Sequence, residues 1–158
     1  MITLDDTDRR LLAQLQDDAS LTNQALAERA HTSPATALRR VRRLVETGVI
    51  ERQVALLSAA ALGQGLAAIV EITLDRQGAE HLEAFEQRAV NDAAVQQCWR
   101  VAPGPDFVLV LRVADMPAYQ ALVQRLFTQD ANVRNVKAYF AVKRAKFDTR
   151  QPLPPARG

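Results

Sequence analysis

The first third of the chain carries apolar residues at the three- and four-residue spacing of helices, interrupted twice by short polar stretches. Leu11, Leu12 and Leu15 share one face of a predicted first helix. That helix opens at the acids of residues 5–8, because carboxylates suit the positive end of a helix dipole. A second helix is predicted to follow Thr22, whose hydroxyl can cap it. Its inner positions are Leu26, Ala27 and Ala30.

The third helical segment, residues 33–48, has a marker at each end. Ser33 can cap the first free N–H groups, Pro34 suits the first helical position, and Gly48 suits a left-handed residue after the last turn. The apolar side of this predicted helix consists of Ala37, Leu38, Val41, Leu44 and Val45. The polar side carries Thr36, Arg39, Arg40, Arg42 and Arg43.

Two short helices joined by a tight turn, the second of them basic, predict a helix-turn-helix at about residues 22–42. Arginines on a helix with an apolar back suit the major groove of DNA, and the alternative interpretation is a solvated basic face. Val49–Leu56 predicts a short strand, which would make the unit winged. We therefore expect a winged helix-turn-helix DNA-binding domain over residues 3–52.

The candidate DNA contacts lie at the start of the second predicted helix and along the polar side of the third. Residues near the start of the third helix are expected at base edges, with Arg40 a candidate for guanine. The later arginines are expected at phosphates, which position a protein without specifying sequence. The full set is Thr22, Asn23, Ser33, Ala35, Thr36, Arg39, Arg40, Arg42 and Arg43.

Beyond the linker the pattern changes to alternating strands with helices between them. Strands are predicted at residues 66–74, 95–101, 107–113 and 133–143, and helices at residues 79–90 and 115–127. The order β-α-β-β-α-β predicts a ferredoxin-like domain over residues 66–147, so that the chain as a whole is of the α+β class. Residues 53–65 are expected to form a linker strand, and the proline-rich residues 148–158 a flexible tail.

One predicted strand, at Phe107–Leu111, is apolar on both of its faces. Two helices can cover only one face of a four-stranded sheet, so the second face needs another cover. A second copy of the chain is the most economical one, and we expect a homodimer. A two-fold pair of helix-turn-helix units then predicts a pseudo-palindromic site with half-sites about one helical turn, or a multiple of it, apart.

Composition narrows the class of protein. The 158 residues carry a formal charge of only +2, so a basic footprint has to be local, as on the third helix. The single cysteine, Cys98, excludes an internal disulfide and fits a reducing compartment. The chain shows neither a signal peptide nor a membrane span, and these features together predict a soluble, cytoplasmic protein.

Catalytic and metal-binding interpretations find little support. His31, His81 and Cys98 lack metal-ligand spacing, and no glycine-rich phosphate loop is present. We therefore expect no enzyme activity, no metal and no cofactor. Trp99 is interpreted as a packing residue, because no second aromatic accompanies it as in single-strand binders. Asp106 has no evident acid or base partner, and the structural alternative for it is a turn residue that closes a hairpin.

Several short motifs together resemble the Lrp/AsnC family of bacterial and archaeal transcription regulators. They are Leu4-Asp5, Asp8-Arg9, Leu12, Leu15-Gln16-Asp17, Leu26-Ala27, Ser33-Pro34, Leu38–Leu44 and Gly48-Val49-Ile50, and the likeness extends over about residues 3–147. The resemblance implies a DNA-binding domain joined to a domain that binds small molecules and oligomerises, often as rings of dimers. One departure is His31, where the family usually has a glycine in the turn; histidine is tolerated in the left-handed conformation.

The same resemblance implies an amino-acid effector bound between subunits, near the hairpin loop of the middle strands. The matching positions are Arg100, Ala102, Pro103, Gly104, Asp106, Met116 and Tyr139, with Pro105 completing the loop. Asp106 would accept the ligand's ammonium, N–H groups of the loop would bind its carboxylate, and Met116 would line an apolar slot. The loop departs from the family's Gly-Asp-Tyr, since Pro103 and Pro105 remove two N–H donors.

The residues and the resemblance together predict a sequence-specific transcriptional regulator that responds to an amino acid or a related metabolite. One alternative is a constitutive, architectural DNA-binding protein without an effector. Another is an effector-binding or structural oligomer whose helix-turn-helix contacts protein. The charged side of the third helix favours DNA over a protein partner, because protein-contact versions need an apolar or mixed surface there.

Overall fold

The computed structural model describes residues 3–155, which divide between two compact units. The first unit comprises the residues up to Leu56 together with those from Lys146 onward, and the second comprises Leu57–Ala145. The first unit is helical, whereas the second combines helices with a four-stranded sheet. The predicted α+β class, with the helix-turn-helix in the first part of the chain, is confirmed.

Three capped helices build the first unit. They are α1 (Asp6–Asp17), α2 (Asn23–Arg29) and α3 (Pro34–Glu46). At the start of α1 the Asp5 carboxylate accepts the N–H of Asp8 at 2.9 Å, and Asp8 accepts the N–H of Asp5 at 3.2 Å, a reciprocal capping box. The hydroxyls of Thr22 and Ser33 cap α2 and α3, each at 3.2 Å from a backbone nitrogen.

The core of the first unit is small, and two left-handed residues shape its turns. Its buried members are Leu11, Leu26, Ala27, Ala30 and Ala37, with Leu15, Leu21 and Val41 packed against them. His31 has a φ of 53° in the turn between α2 and α3, as predicted for that position. Gly48 has a φ of 74° just beyond α3. The apolar stripe of α3 is narrower than predicted, because Leu38 and Val45 are 43% and 51% exposed.

Residues 47–65, all of which the structure describes, form no strand. The sequence predicted a strand at Val49–Leu56 and a linker strand over residues 53–65. A strand needs a neighbour for its N–H and C=O groups, and no strand of the described chain pairs with this segment. Val54, Leu56 and Leu57 are therefore largely exposed. The prediction of a strand in this segment is therefore wrong for a single copy of the chain.

The second unit has the predicted β-α-β-β-α-β order, with every strand pair antiparallel. Its elements are β1 (Leu66–Leu74), α4 (Ala79–Val90), β2 (Val95–Arg100), β3 (Phe107–Val113), α5 (Met116–Val123) and β4 (Val133–Phe140). The order across the sheet is β2-β3-β1-β4, so β2 and β4 occupy opposite edges. These two strands end before the predicted residues 101 and 143.

The predicted helix at residues 115–127 changes its geometry midway. Asp115 caps α5 by accepting the N–H of Ala118 at 2.9 Å, as predicted. After Val123 the chain continues as a π-helical turn, Gln124–Thr128. This wider turn accompanies the burial of two adjacent side chains, Leu126 and Phe127.

Alternate residues of β1 and β3 face the two helices and form the larger core. Phe85 of α4 packs on Phe107 of β3 with their ring centroids 4.9 Å apart. No element of the described second unit covers the other face of the sheet. The apolar and aromatic residues of this open face are Ile69, Trp99, Val108, Val110 and Tyr139, and Glu71, Arg112 and Lys137 lie on the same face. Ile69 and Trp99 are 47% and 59% exposed, so Trp99 is not packed within one copy.

Of the predicted flexible tail, the structure describes residues 148–155, which contain no helix or strand. Two of these residues contact α1. A guanidinium nitrogen of Arg150 lies 3.1 Å from the carboxylate of Asp17, and the N–H of Gln151 donates to the side chain of Gln16 at 2.6 Å. The tail therefore belongs to the first unit.

Candidate nucleic-acid interface and effector site

One line of side chains on α3 points away from the core of the first unit. Ala35, Arg39 and Arg42 follow one another at three- and four-residue spacing, and all three are exposed. Among the described residues, no hydrogen bond or ion pair engages the guanidinium of Arg39 or Arg42. Both arginines are thus available to an anionic partner.

Arg40 and Arg43, on the neighbouring line of α3, are bound to a buried carboxylate of α1. Asp8 is 1% exposed, and its oxygens lie 3.0 Å from Nη1 of Arg40 and 2.5 Å from Nη2 of Arg43. Arg40 also lies 2.5 Å from the carboxylate of Asp5. These ion pairs join α3 to the start of α1. Both arginines therefore stabilise the packing of the two helices, a role that was not predicted from the sequence.

The charges in this cluster stabilise one another. The backbone N–H of Asp8 and the guanidinium of Arg40 hold the pKa of Asp5 below its usual value. The carboxylates of Asp5 and Asp8 in turn raise the pKa of Arg40. Two carboxylates thus offset two guanidiniums within the protein. A guanidinium offset in this way attracts phosphates less than a free one does. The uncompensated positive charge of α3 is therefore that of Arg39 and Arg42.

The remaining predicted DNA contacts have local partners. Nδ2 of Asn23 donates to the carbonyl of Pro34 at 2.8 Å and so joins α2 to α3. The Ser33 hydroxyl accepts the N–H of Thr36 and donates to its Oγ1 at 2.9 Å. The Thr36 hydroxyl keeps its own hydrogen free to donate. Thr22 serves as the cap of α2.

Asp5 and Asp8 are the site residues that sequence reasoning missed, since they were interpreted only as acids at a helix start. The helical spacing of Asp8 from the leucines of α1 could have indicated that it is buried. Asp8 shares the helix face of Leu11, Leu12 and Leu15, which was predicted to be buried. A carboxylate on a buried face requires a cationic partner, and the arginines of α3 are the available ones.

The residues matched to an effector site lie at three separate places in the second unit. Arg100 and the loop of Ala102, Pro103, Gly104 and Pro105 lie where β2 turns into β3. Met116 follows the opposite end of β3, and Tyr139 lies on β4, at the other edge of the sheet. A single copy of the chain therefore does not bring these side chains together.

Asp106, just before β3, is hydrogen-bonded to the backbone at the end of β1. Its Oδ2 accepts the N–H of Leu74 at 2.7 Å and the side-chain amide of Gln77 at 3.3 Å, and its own N–H donates to the carbonyl of Ile72 at 2.8 Å. This agrees with the structural alternative considered for Asp106. Its second carboxylate oxygen, Oδ1, takes part in none of these bonds.

Arg100, the other charged residue of this predicted site, is bound to α4. It donates to Glu86 at 2.7 Å, and its guanidinium carbon lies 5.8 Å from the ring centroid of Phe107. Ala102 and Gly104 are exposed beside it. The loop is exposed and Oδ1 of Asp106 accepts none of that carboxylate's hydrogen bonds, whereas the guanidinium of Arg100 already has its partner, Glu86, within the chain.

The two histidines and the cysteine do not assemble into a site. His31 lies in the α2–α3 turn, His81 lies 3.6 Å from Glu80 on α4, and burial raises the pKa of the Cys98 thiol on β2. Among the described residues, no three His, Cys, Asp or Glu side chains come together as metal ligands. Within the same part of the chain, no helix has the length and apolar character that a membrane crossing needs.

A helix-turn-helix with free arginines, followed by a ferredoxin-like domain, defines a class of two-domain DNA-binding regulators. Residues 4–51 match the winged helix-turn-helix DNA-binding family model, and residues 67–151 match the model of the Lrp/AsnC ligand binding domain. A leucine-responsive regulatory protein of Rhizobium meliloti is 37% identical over 145 residues, which cover 92% of this chain and 93% of the relative.

The chain belongs to the Lrp/AsnC family and is a DNA-binding transcriptional regulator. Two solved structures share its fold at a TM-score of 0.90 and 30% identity. One is an AsnC family transcriptional regulator from Agrobacterium tumefaciens, with 94% of this chain and 97% of that chain covered. The other is a transcriptional regulator from Neisseria meningitidis in complex with L-Met, with 95% and 97% covered.

Proposed function

We propose that this regulator contacts DNA through the exposed line of α3, with Ala35 and Arg39 at base edges and Arg42 at a phosphate. The observation that carries this proposal is the division among the four arginines, since Arg39 and Arg42 are free whereas Arg40 and Arg43 are bound by Asp8. Recognition helices enter the major groove by their N-terminal part, which places residue 35 deepest. Thr36 adds a hydroxyl beside this line.

Single substitutions test the assignment of the arginines. Arg39→Ala is expected to weaken binding to the DNA upstream of the regulator's own gene by about 10- to 100-fold, as when one hydrogen-bonded base pair loses its protein partner. Binding is measured by fluorescence anisotropy, with footprinting to locate the site. Arg76→Ala, which changes an exposed arginine of the second unit, is the control. Unchanged affinity of Arg39→Ala would refute the assignment.

The regulator acts as a homodimer in this proposal, with the open face of the sheet as its interface. That face carries Ile69 and Trp99 in exposed positions. Val108 and Val110 of β3 lie between them on the same face, and a group of exposed apolar side chains on one face marks an interaction surface. The unpaired segment Val49–Leu56 offers a second place where another copy would supply a missing strand neighbour.

Sedimentation of the full chain tests the dimer. At micromolar concentration the wild type is expected to sediment as a dimer or a larger multiple. Ile69→Glu, which puts a charge at the centre of the open face, is expected to shift it towards the monomer because an unpaired charge is costly to bury. Glu83→Ala, on the exposed side of α4, is the control. A monomeric wild type would exclude the interface.

The effector proposed is an amino acid bound where two or more copies meet. Arg100 with its loop, Met116 and Tyr139 are far apart in sheet topology, so a site built from all of them requires side chains from different copies. Oδ1 of Asp106 is the free acceptor for an ammonium group. Pro103 and Pro105 remove N–H donors, and Gly104 retains one for the ligand's carboxylate.

A thermal-shift and DNA-binding screen against the twenty amino acids tests the effector. A hit is expected to lose its effect in Asp106→Ala. Because Asp106 also supports the N–H of Leu74, Asp106→Asn serves as a second variant that keeps an acceptor for this hydrogen bond while removing the charge. An unchanged response in both variants would place the site elsewhere, and no response to any amino acid would favour a constitutive architectural protein.

A further inference from the structure

The end of the chain makes a two-point contact with α1. The side-chain oxygen of Gln16 accepts the N–H of Gln151 at 2.6 Å, and the side-chain nitrogen of Gln16 donates to the carbonyl of Gln151 at 3.2 Å. One amide side chain thus satisfies both backbone groups of a single residue, as a neighbouring strand would. The two hydrogen bonds involve the backbone N–H and C=O of Gln151 and not its side chain, and together they hold the backbone of this residue against α1.

An ion pair beside these hydrogen bonds joins the same two segments of the chain, the tail and α1. Arg150 lies 3.1 Å from Asp17, one residue along α1 from Gln16. Asp148 orients this guanidinium by accepting from its Nε at 3.1 Å and its Nη2 at 2.9 Å. These hydrogen bonds from Arg150 lower the pKa of Asp148 to about 2. Asp148 also accepts the backbone N–H of Arg150 at 3.0 Å. The side chain is therefore preorganised within the tail before it meets α1.

The residues after Gln151 differ in how far they are buried. Leu153 is half-buried, although Pro152 and Pro154 on either side are exposed. Prolines restrict the unfolded backbone, so that ordering the segment costs less conformational entropy. The partial burial of Leu153 shows that the segment after Gln151 is not fully solvated.

We propose that residues 148–153 form a strap that binds α1 of the same chain and joins the end of the effector-binding domain to the DNA-binding unit. The chain leaves the first unit at Leu56 and returns to it at Lys146. With the strap bound, the DNA-binding unit is held by two connections, and the second begins just after β4. A second connection reduces the freedom of the tethered unit, which raises its effective concentration at a second half-site.

Hydrogen exchange of the Gln151 amide in the full chain tests the strap directly. In the wild type this amide is expected to exchange about three- to tenfold more slowly than in an unstructured peptide, since it is hydrogen-bonded. Gln16→Ala is expected to abolish the protection, whereas Gln14→Ala, on the same helix but outside the contacts described, retains it. Arg150→Ala, which alters only the tail, is expected to reduce the protection without disturbing the helices.

The functional consequence rests on the proposed DNA-binding dimer and is measured separately. Gln16→Ala is expected to weaken binding to a DNA with two half-sites severalfold and to leave binding to a single half-site unchanged. A Gln151 amide that exchanges at the unstructured rate in the wild type would overturn the strap, whatever the DNA affinity. Protection combined with an equal loss at single and double half-sites would overturn its role as a second connection.

Discussion

Replacing Asp8 by asparagine tests whether the buried carboxylate holds α3 in place. The substitution keeps the size of the side chain but leaves two guanidiniums without their shared partner. Removing one member of a buried ion pair costs about 3–5 kcal/mol. The arginine side chains here are 22% and 46% exposed, so water compensates in part, and we expect a loss of about 2–3 kcal/mol in the stability of the first unit.

The chain supplies its own internal control for this measurement. Its single tryptophan, Trp99, lies in the second unit, so tryptophan fluorescence follows that unit in urea while far-UV circular dichroism follows the helices of both. Asp8→Asn is expected to shift the helical transition and leave the tryptophan transition in place. Asp6→Asn, on an exposed residue of the same turn, is expected to change stability by less than about 0.5 kcal/mol. Equal stability of the two variants would refute the reasoning.

Three further predictions concern stability. Gly48→Ala is expected to cost about 1–2 kcal/mol, because φ is 74° while an added Cβ meets no atom within 4 Å; a neutral result in urea would show that the turn relaxes. Phe85→Ala is expected to cost about 3–5 kcal/mol, followed by Trp99 fluorescence, and a loss below about 1 kcal/mol would contradict the packing described. The Arg125 guanidinium holds the pKa of Asp92 in the folded protein below its usual value. As the pH falls, this carboxylate therefore binds a proton in the unfolded chain before it does so in the folded protein. Its stabilisation is complete above about pH 4 and fades as the pH falls further, and Asp92→Asn should flatten that decline in an acid titration of stability.

Local rules predicted most of the fold because most elements satisfy their hydrogen bonds within one copy. Ala79–Val90 and Phe107–Val113 have the predicted bounds, and the caps at Thr22 and Ser33 are those expected from the sequence. Each depends on short-range periodicity and on one capping side chain. The strand at Val49–Leu56 failed for the opposite reason, since its hydrogen bonds need a neighbour that one copy does not provide.

The candidate site was predicted less completely because helical spacing gives the face of a side chain but not its partner. Arg39 and Arg40 are consecutive and both polar-facing by pattern, yet Arg40 meets a carboxylate 35 residues earlier in the chain. Only the packing of α1 on α3 determines which arginine is compensated. The effector residues show the same limit, since Arg100 and Tyr139 were matched by position and lie on opposite edges of the sheet.

The salt dependence of DNA binding by Arg39→Ala/Arg42→Ala tests the central claim most directly. The association constant with the upstream DNA is measured over a range of salt concentrations, beside the wild type and the control Arg76→Ala/Arg134→Ala. If α3 binds DNA through its free arginines, the double variant binds at least about tenfold more weakly, and its slope of log K against log salt is shallower by about one for each phosphate that the protein no longer neutralises. If the double variant keeps both the affinity and the slope of the wild type, the exposed line of α3 is not the DNA-binding surface.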